Sequence, residues 1–185
     1  MSTEDTAPQA DINDSPDKAM STNIHELLDY AWELITEAPS DEMLNPLLCG
    51  YFTKLMLGLL ENKKNEFLAY LGLSSGKEVK SRDLVKSLID HIYDRSIAEL
   101  VSKVIIASQG VFSMAQAMEM DGLDDEISSP NTGSQEAIAQ LVDKLIEGKY
   151  AEDSLNAALV LTDLCNNGDG KTQKIMSEPE CMDKL

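Results

Sequence analysis

Apolar residues recur along most of the chain at steps of three and four residues, the spacing that places them on one face of an α-helix. No stretch alternates with a period of two for long, and the β-branched residues lie inside helical patterns. The pattern therefore predicts an all-α protein of about seven helices.

The densest apolar pattern lies in residues 45–60, NPLLCGYFTKLMLGLL. Asn45 is suited to cap a helix, and Pro46 suits its first turn, where no backbone N–H is needed. The apolar stripe is so broad that we expect other helices to pack around this one and bury it from more than one side. The residues of the stripe are Leu47, Leu48, Tyr51, Phe52, Leu55, Met56, Leu59 and Leu60.

Similar stripes predict the remaining helices. A first helix should begin near Asn23 and end before Pro39, with Glu26 three residues after the cap. Asp94 and Asp153 can cap two later helices. The predicted helices after the central one span residues 63–71, 81–92, 94–105, 134–147 and 153–166, and the predicted apolar face of the last is Leu155, Ala158, Leu159, Thr162 and Cys165. Because residues 81–92 and 94–105 lie almost end to end, we expect a sharp corner, with one kinked helix as the alternative.

Three segments lose the helical pattern. Residues 1–21 are predicted to be a disordered tail, because their composition is polar and acidic. Residues 167–185, which follow the predicted stop of the last helix, are predicted to be a second disordered tail. Residues 108–133 are interpreted as an acidic loop, although their first part would suit a transient helix. The helical-repeat domain is therefore predicted at residues 22–166.

Broad apolar faces on short antiparallel helices suit stacked helix pairs, an irregular α-solenoid of the armadillo or HEAT type. No repeat consensus recurs at a fixed period, so a compact irregular bundle is the alternative.

The formal net charge is −18, and it is unevenly distributed. Residues 1–45 hold one base and eleven acids, residues 46–107 nine bases and seven acids, and residues 108–185 five bases and fifteen acids. Such a chain should repel nucleic acid, so basic segments or protein surfaces are the expected partners. We find no signal peptide or membrane-spanning run, and three widely spaced cysteines predict no disulfide framework. A cytoplasmic or nuclear protein is expected.

Candidate chemistry is sparse. The run CNNGDGKT at residues 165–172 lacks the glycine that a phosphate loop needs four residues before GK, and a calcium loop starting at Asp163 would have Lys174 in place of its last acid. His25 and His91 are isolated on predicted helices. We therefore expect no catalytic residue, metal or cofactor, and an enzyme using GDGKT is kept only as a third hypothesis.

Basic residues of the middle region have two interpretations. They are the solvated faces of amphipathic helices, or they form a weakly positive groove for an acidic partner or for the protein's own acidic loop. Ser15 and Ser129 precede prolines and are candidate phosphorylation sites. The candidate partner-binding residues are Lys54, Lys63, Lys64, Arg82, Lys86, His91 and Arg95.

Residues 45–105 carry a family resemblance. The matching residues are Asn45, Pro46, Leu47, Leu48, Tyr51 and Phe52 in the central helix, and His91, Ile92, Ser96, Ile97, Glu99 and Leu100 around the predicted corner. In these the chain resembles the SAPS-domain proteins, regulatory subunits that associate with protein phosphatase 6. The looser resemblance extends over residues 25–166, but family members have a longer helical domain. Most matching residues are expected in the core.

The resemblance implies a non-catalytic regulatory or scaffold subunit. Its partners would be a phosphatase 2A-like Ser/Thr phosphatase catalytic subunit of the phosphatase 6 type, and a third scaffold subunit. The alternative is a general acidic helical interaction module with no phosphatase partner, which binds basic protein segments through charge.

Overall fold

A computed structural model describes residues 16–38, 42–73, 84–118, 132–168, 173 and 177, with side chains at 26–38, 42–73, 84–109, 134–168, 173 and 177. Within these residues every regular element is an α-helix, which confirms the predicted all-α class. The helices are α1 (Pro16–Thr36), α2 (Pro46–Asn62), α3 (Lys64–Tyr70), α4 (Leu84–Asp90), α5 (Arg95–Met118), α6 (Thr132–Glu147) and α7 (Ala151–Asn167).

The chain divides into two compact units, Met1–Leu34 and Ile35–Leu185. In the first unit, α1 begins at Pro16, so the predicted start at Asn23 is wrong and residues 16–21 are helical rather than part of a tail. Proline suits the first position of a helix, and the residues that follow include good helix formers. Residues 1–15, the rest of the predicted tail, lie outside the described residues.

The centre of the second unit is α5, not α2. Helix α5 contacts α2, α3, α4, α6 and α7, whereas α2 packs chiefly on α5 and α3. The prediction that the other helices pack around residues 45–60 is therefore wrong. The buried apolar residues of α5 are Ile97, Ala98, Leu100, Val101, Val104 and Ile105.

Helix α5 also runs further than the sequence indicated. It continues to Met118, so residues 108–118 are helical and the predicted loop cannot begin at residue 108. This stretch is rich in Ala, Gln and Met, which favour helix, and its single glycine is tolerated. The rest of the predicted loop, at residues 119–131, lies outside the described residues.

Local signals place α2 and α3 as predicted. The Asn45 Oδ1 atom accepts a hydrogen bond from the Leu47 backbone N–H at 2.9 Å, and Pro46 occupies the first turn. Helix α3 ends at Tyr70, and Gly72 follows its C-cap with a φ of +73°, the left-handed conformation that glycine adopts readily. The Leu73 N–H then reaches back to the Leu68 carbonyl at 2.9 Å.

The predicted corner is present between α4 and α5. Helix α4 ends at Asp90, and Asp94 caps α5 by accepting hydrogen bonds from the N–H groups of Ser96 at 2.8 Å and Ile97 at 3.3 Å. Residues 91–94 form a turn, so the alternative of one continuous kinked helix is wrong.

The connection from α6 to α7 depends on close packing at Gly148. A Cβ atom on Gly148 would lie 2.5 Å from the Asp153 Cβ and 2.6 Å from the Lys144 carbonyl oxygen. Helix α7 is capped at Tyr150, and Asp153 lies three positions later, where its Oδ2 accepts the Tyr150 N–H at 2.9 Å. The prediction of Asp153 as the first cap is wrong, but its carboxylate still satisfies a free N–H at the helix start.

Candidate protein-interaction site

One side of α2 is apolar and exposed to solvent. Leu47 and Tyr51 are each 64% exposed, and Leu48, Leu55 and the preceding Met43 are also exposed. We call these five residues the α2 face. The expectation that neighbouring helices cover the whole stripe is wrong, and so is the expected core position of Leu47, Leu48 and Tyr51.

The opposite side of α2 packs into the protein. Phe52 is 5% exposed, as expected for a core residue, and Met56 and Leu60 are buried along the same side. Cys49 is buried there too, and its burial, together with the nearby Asp94 carboxylate, raises the pKa of the thiol to about 11. At neutral pH Cys49 is therefore an uncharged packing residue.

Helix α7 also exposes apolar side chains. Leu155 is 61% exposed, and Leu159, one turn later, is exposed as well. We call these two residues the α7 face. Both belong to the predicted apolar face of the last helix, so the expectation that this face packs against a neighbouring helix is wrong for them.

The buried side of α7 has its own pattern. Ala157, Val160, Leu161 and Leu164 are buried at helical spacing. Helix α7 thus carries two apolar stripes, and the buried one includes the polar Asn156, which made it look less apolar. The regular spacing of these four residues is the signal that could have identified the core side.

The predicted basic residues do not come from one element. Lys54 lies exposed on α2, Lys63 follows that helix and pairs with Glu66 at 3.5 Å, and Lys64 begins α3. Lys86 lies exposed on α4, where it lines a small pocket of about 250 Å³. Arg95 is exposed at the start of α5, and Arg82 lies outside the described residues. Both interpretations of these basic residues, solvated helix faces or a weakly positive groove, remain predictions.

His91 differs from the other candidates because it is buried, with 8% of its surface exposed. Its Nε2 lies 3.2 Å from the Ile35 carbonyl oxygen, and its Nδ1 lies 3.1 Å from the Tyr93 hydroxyl. A carbonyl can only accept, so Nε2 carries the proton and the Tyr93 hydroxyl donates to Nδ1. Burial lowers the pKa of His91, which is therefore a neutral structural residue and not a surface-binding one.

A polar cavity of about 380 Å³ lies beside His91. Lys144 and Asp90 form an ion pair in its wall at 3.1 Å. Asp153 is buried in the wall, and its Oδ1 has no hydrogen-bond partner among the protein atoms. The other ionisable wall residues, besides the tyrosines, are Glu42 and Lys149, so acids and bases are mixed and the lining favours no single ligand charge.

The Tyr93 side chain connects this cavity to the segment before α2. Its hydroxyl oxygen accepts a hydrogen bond from the Leu44 N–H at 2.8 Å, and its ring meets the Tyr150 ring edge-on with centroids 5.1 Å apart. Burial raises the pKa of Tyr93, so the hydroxyl remains protonated at neutral pH. Its contacts hold the corner in place.

The remaining residues of the resemblance have mixed positions. Ile92, Ile97 and Leu100 are buried as expected, whereas Glu99 is exposed. Asn45 and Pro46 are exposed at the start of α2, and Ser96 is half-buried. The candidate phosphorylation sites Ser15 and Ser129 lie outside the described residues, as do residues 169–172 of the GDGKT run.

Within the described residues, no group of three His, Cys, Asp or Glu side chains is placed to hold a metal ion. None of the helices in that part of the chain combines the length and apolar character needed to span a membrane.

Comparison of the chain with family models, curated proteins and solved structures finds no match. The resemblance of residues 45–105 to SAPS-domain proteins therefore remains a prediction. The described part of the chain is all-α and exposes two apolar helix faces.

Proposed function

We propose that this protein is a non-catalytic scaffold that binds other proteins through apolar helix faces. The observation that carries the proposal is the exposure of large apolar side chains on the α2 face and the α7 face. Grouped apolar side chains of this kind are typical of protein-binding surfaces. Two such faces on one small helical unit suit a protein that holds two partners.

The proposed first partner is the catalytic subunit of a phosphatase 2A-like Ser/Thr phosphatase, of the phosphatase 6 type. The SAPS-like residues around α2 and the corner support this choice. Under the proposal the second partner is a substrate or a third scaffold subunit, and the complex acts in the cytoplasm or nucleus.

The proposed mechanism is positioning. Helices adjacent in sequence pack together, as in α2 with α3 and α6 with α7, but α5 also contacts both of these pairs. In a solenoid each repeat contacts only its neighbours, so this contact pattern favours the alternative of a compact irregular bundle. A rigid helical unit of this kind would bring a bound enzyme close to a bound substrate without itself doing chemistry.

Binding to a purified phosphatase catalytic subunit tests the proposal. We expect the wild-type chain to bind with a Kd below about 100 µM. Leu155→Glu on the α7 face, or Leu55→Glu on the α2 face, should weaken binding at least about tenfold. Glu152→Gln, an exposed change on α7, is the matched control. Absence of wild-type binding overturns the phosphatase assignment, and full binding by both Glu variants overturns the apolar-face mechanism.

The second candidate is an acidic interaction module without a phosphatase partner. It rests on the net charge of −18, most of it in residues 1–45 and 108–185. Contacts dominated by surface charge are screened by salt, whereas apolar contacts are not. If all proteins captured from a cell extract are released by about 0.5 M salt, where the Debye length is only a few ångströms, this candidate replaces the first.

A further inference from the structure

We propose that the polar cavity beside His91 binds a small amine with an aromatic body, and that Asp153 accepts a hydrogen bond from the ammonium group of this ligand. All residues of the cavity wall belong to the compact unit that begins at Ile35. The cavity volume of about 380 Å³ lies within the range of ligand pockets in proteins, about 300–1,000 Å³.

The Asp153 carboxylate is buried in the wall, and only one of its two oxygens is satisfied. The residue is 1% exposed. Its Oδ2 accepts the Tyr150 N–H at 2.9 Å, whereas its Oδ1 has no hydrogen-bond partner among the described protein atoms. A buried charge is costly unless it is paired and hydrogen-bonded. The Oδ1 atom therefore needs a donor that the described residues do not supply, and a cationic donor stabilises a carboxylate more than a neutral one does.

The lysines of the wall are engaged elsewhere. The Lys144 Nζ lies 3.1 Å from the Asp90 Oδ1, and the Lys149 Nζ lies over the Tyr150 ring, 5.0 Å from its centroid. Neither of them is a hydrogen-bond partner of the Asp153 Oδ1. Although acids and bases are mixed in the wall, the atom without a partner is an acceptor, so a cationic donor from a ligand can take that place.

The rest of the wall suits an apolar ligand body. Ile35 and Ala38 line the cavity together with Tyr93 and Tyr150. Apolar and aromatic walls with a few polar groups are typical of small-molecule sites. The two tyrosine rings already meet edge-on, and a ligand ring can pack against them with the same geometry. An arylalkylamine, in which a short chain joins an aromatic ring to an ammonium group, therefore matches both parts of the cavity.

The amine site goes beyond the proposed phosphatase binding and does not depend on it. The residues of the cavity wall are not part of the α2 face or the α7 face. Amine binding is measured on the purified chain alone, so failure of phosphatase binding and failure of amine binding are separate results.

Calorimetric titration of the full chain with three ligands of similar body tests the proposal. Phenethylamine, phenethyl alcohol and phenylacetate carry a positive charge, no charge and a negative charge at neutral pH. We expect phenethylamine to bind with a Kd below about 1 mM at about 0.15 M salt, and the other two at least about tenfold more weakly. If the three ligands bind alike, or if the amine does not bind, water alone satisfies the Asp153 Oδ1 and the proposal is overturned.

Variants separate the cavity from the general attraction of a cation to an acidic chain. Asp153→Asn and Glu61→Gln each remove one negative charge, but Glu61 is exposed on α2 and is not part of the wall. Asp153→Asn should raise the Kd for phenethylamine at least about tenfold, whereas Glu61→Gln should leave it within about twofold.

Ala38→Phe keeps the proposal falsifiable if Asp153→Asn folds poorly. This substitution narrows the cavity without changing any charge, so it should also weaken the binding of phenethylamine at least about tenfold. The proposal is overturned if neither cavity variant weakens binding, or if Glu61→Gln weakens it as much as Asp153→Asn does.

Discussion

Asn156 on α7 donates its side-chain amide to the backbone carbonyl oxygen of Tyr93 at 2.9 Å. The same nitrogen donates to the Ile92 carbonyl, also at 2.9 Å. Both carbonyls lie in the turn between α4 and α5, where no helical N–H reaches them. A buried polar residue of α7 thus donates hydrogen bonds to two backbone carbonyl groups of the corner, just before the central helix α5 begins.

We expect Asn156→Ala to lower the free energy of unfolding by about 1–3 kcal/mol, because it leaves two carbonyl groups unsatisfied in a buried site. Urea unfolding at neutral pH measures the loss. Asn166→Ala changes an exposed residue of the same helix and should stay within about 0.5 kcal/mol of wild type. Equal effects of the two substitutions would show that the corner does not need the Asn156 amide.

His91 should make the protein less stable in mild acid. Its folded-state pKa lies below the usual value of 6.5, so the unfolded chain binds the proton more readily than the folded one. The stability due to neutral His91 is therefore present above about pH 6.5 and is lost as the pH falls from there toward the lowered folded-state pKa. Urea midpoints at about pH 7.5, 6.5 and 5.5 measure this loss.

The matched variant is His91→Gln, which cannot titrate. The urea midpoint of this variant should be lower than that of the wild type at neutral pH, but it should fall less between pH 7.5 and 5.5. Carboxylates titrate in both proteins, so their contribution cancels in the comparison. If the two proteins lose stability in parallel, His91 is not the titrating group.

Phe52 and Tyr51 are neighbours in sequence on α2, but Phe52 is buried and Tyr51 is exposed. Phe52→Ala should lose about 3–5 kcal/mol of unfolding free energy, because it opens a cavity in the core. Tyr51→Ala should lose less than about 1 kcal/mol when measured at low protein concentration, because that side chain is exposed. Thermal unfolding of both variants measures the contrast. A large loss from Tyr51→Ala would place that ring against the rest of the chain and remove it from the α2 face.

Substitution by alanine should lower the stability of the protein at Gly148 and raise it at Gly50. Gly148→Ala would push a Cβ into the Asp153 side chain and the Lys144 carbonyl, so a loss of about 1–3 kcal/mol is expected. Gly50→Ala enters open space within a helix and should stabilise the chain by about 0.5–1 kcal/mol. Tm at low protein concentration gives both signs, and destabilisation by Gly50→Ala would mean that the space beside α2 is occupied.

Short-range signals in the sequence predicted much of the fold. Helix ends marked by a capping or turn residue are found where expected, because such a residue contacts only its near neighbours in the chain. These residues are Asn45 with Pro46, Gly72 and Asp94. The ends without such signals were missed. The start of α1 at Pro16 was not predicted because the residues there are mostly polar. The end of α5 at Met118 was not predicted because the apolar pattern before it is weak.

The sequence was less informative about which apolar residues are covered. The residues on the α2 face resemble core residues in composition and spacing. They are exposed because α3 and α5 pack against the other side of α2. The same holds for Leu155 and Leu159. Helix α7 carries a second apolar stripe, and it is that stripe which is buried. Periodicity tells which residues share a face, but it does not tell whether another helix lies against it.

The sequence by itself determined the all-α class, the acidic charge and most helix boundaries, because these follow from composition and from contacts between near neighbours in the chain. Only the tertiary structure decided that α5 is the centre, that His91 is buried and neutral, and that two apolar faces remain exposed. The physical reason is that burial depends on which distant helices meet, as when Asn156 reaches the corner 63 residues earlier in the chain.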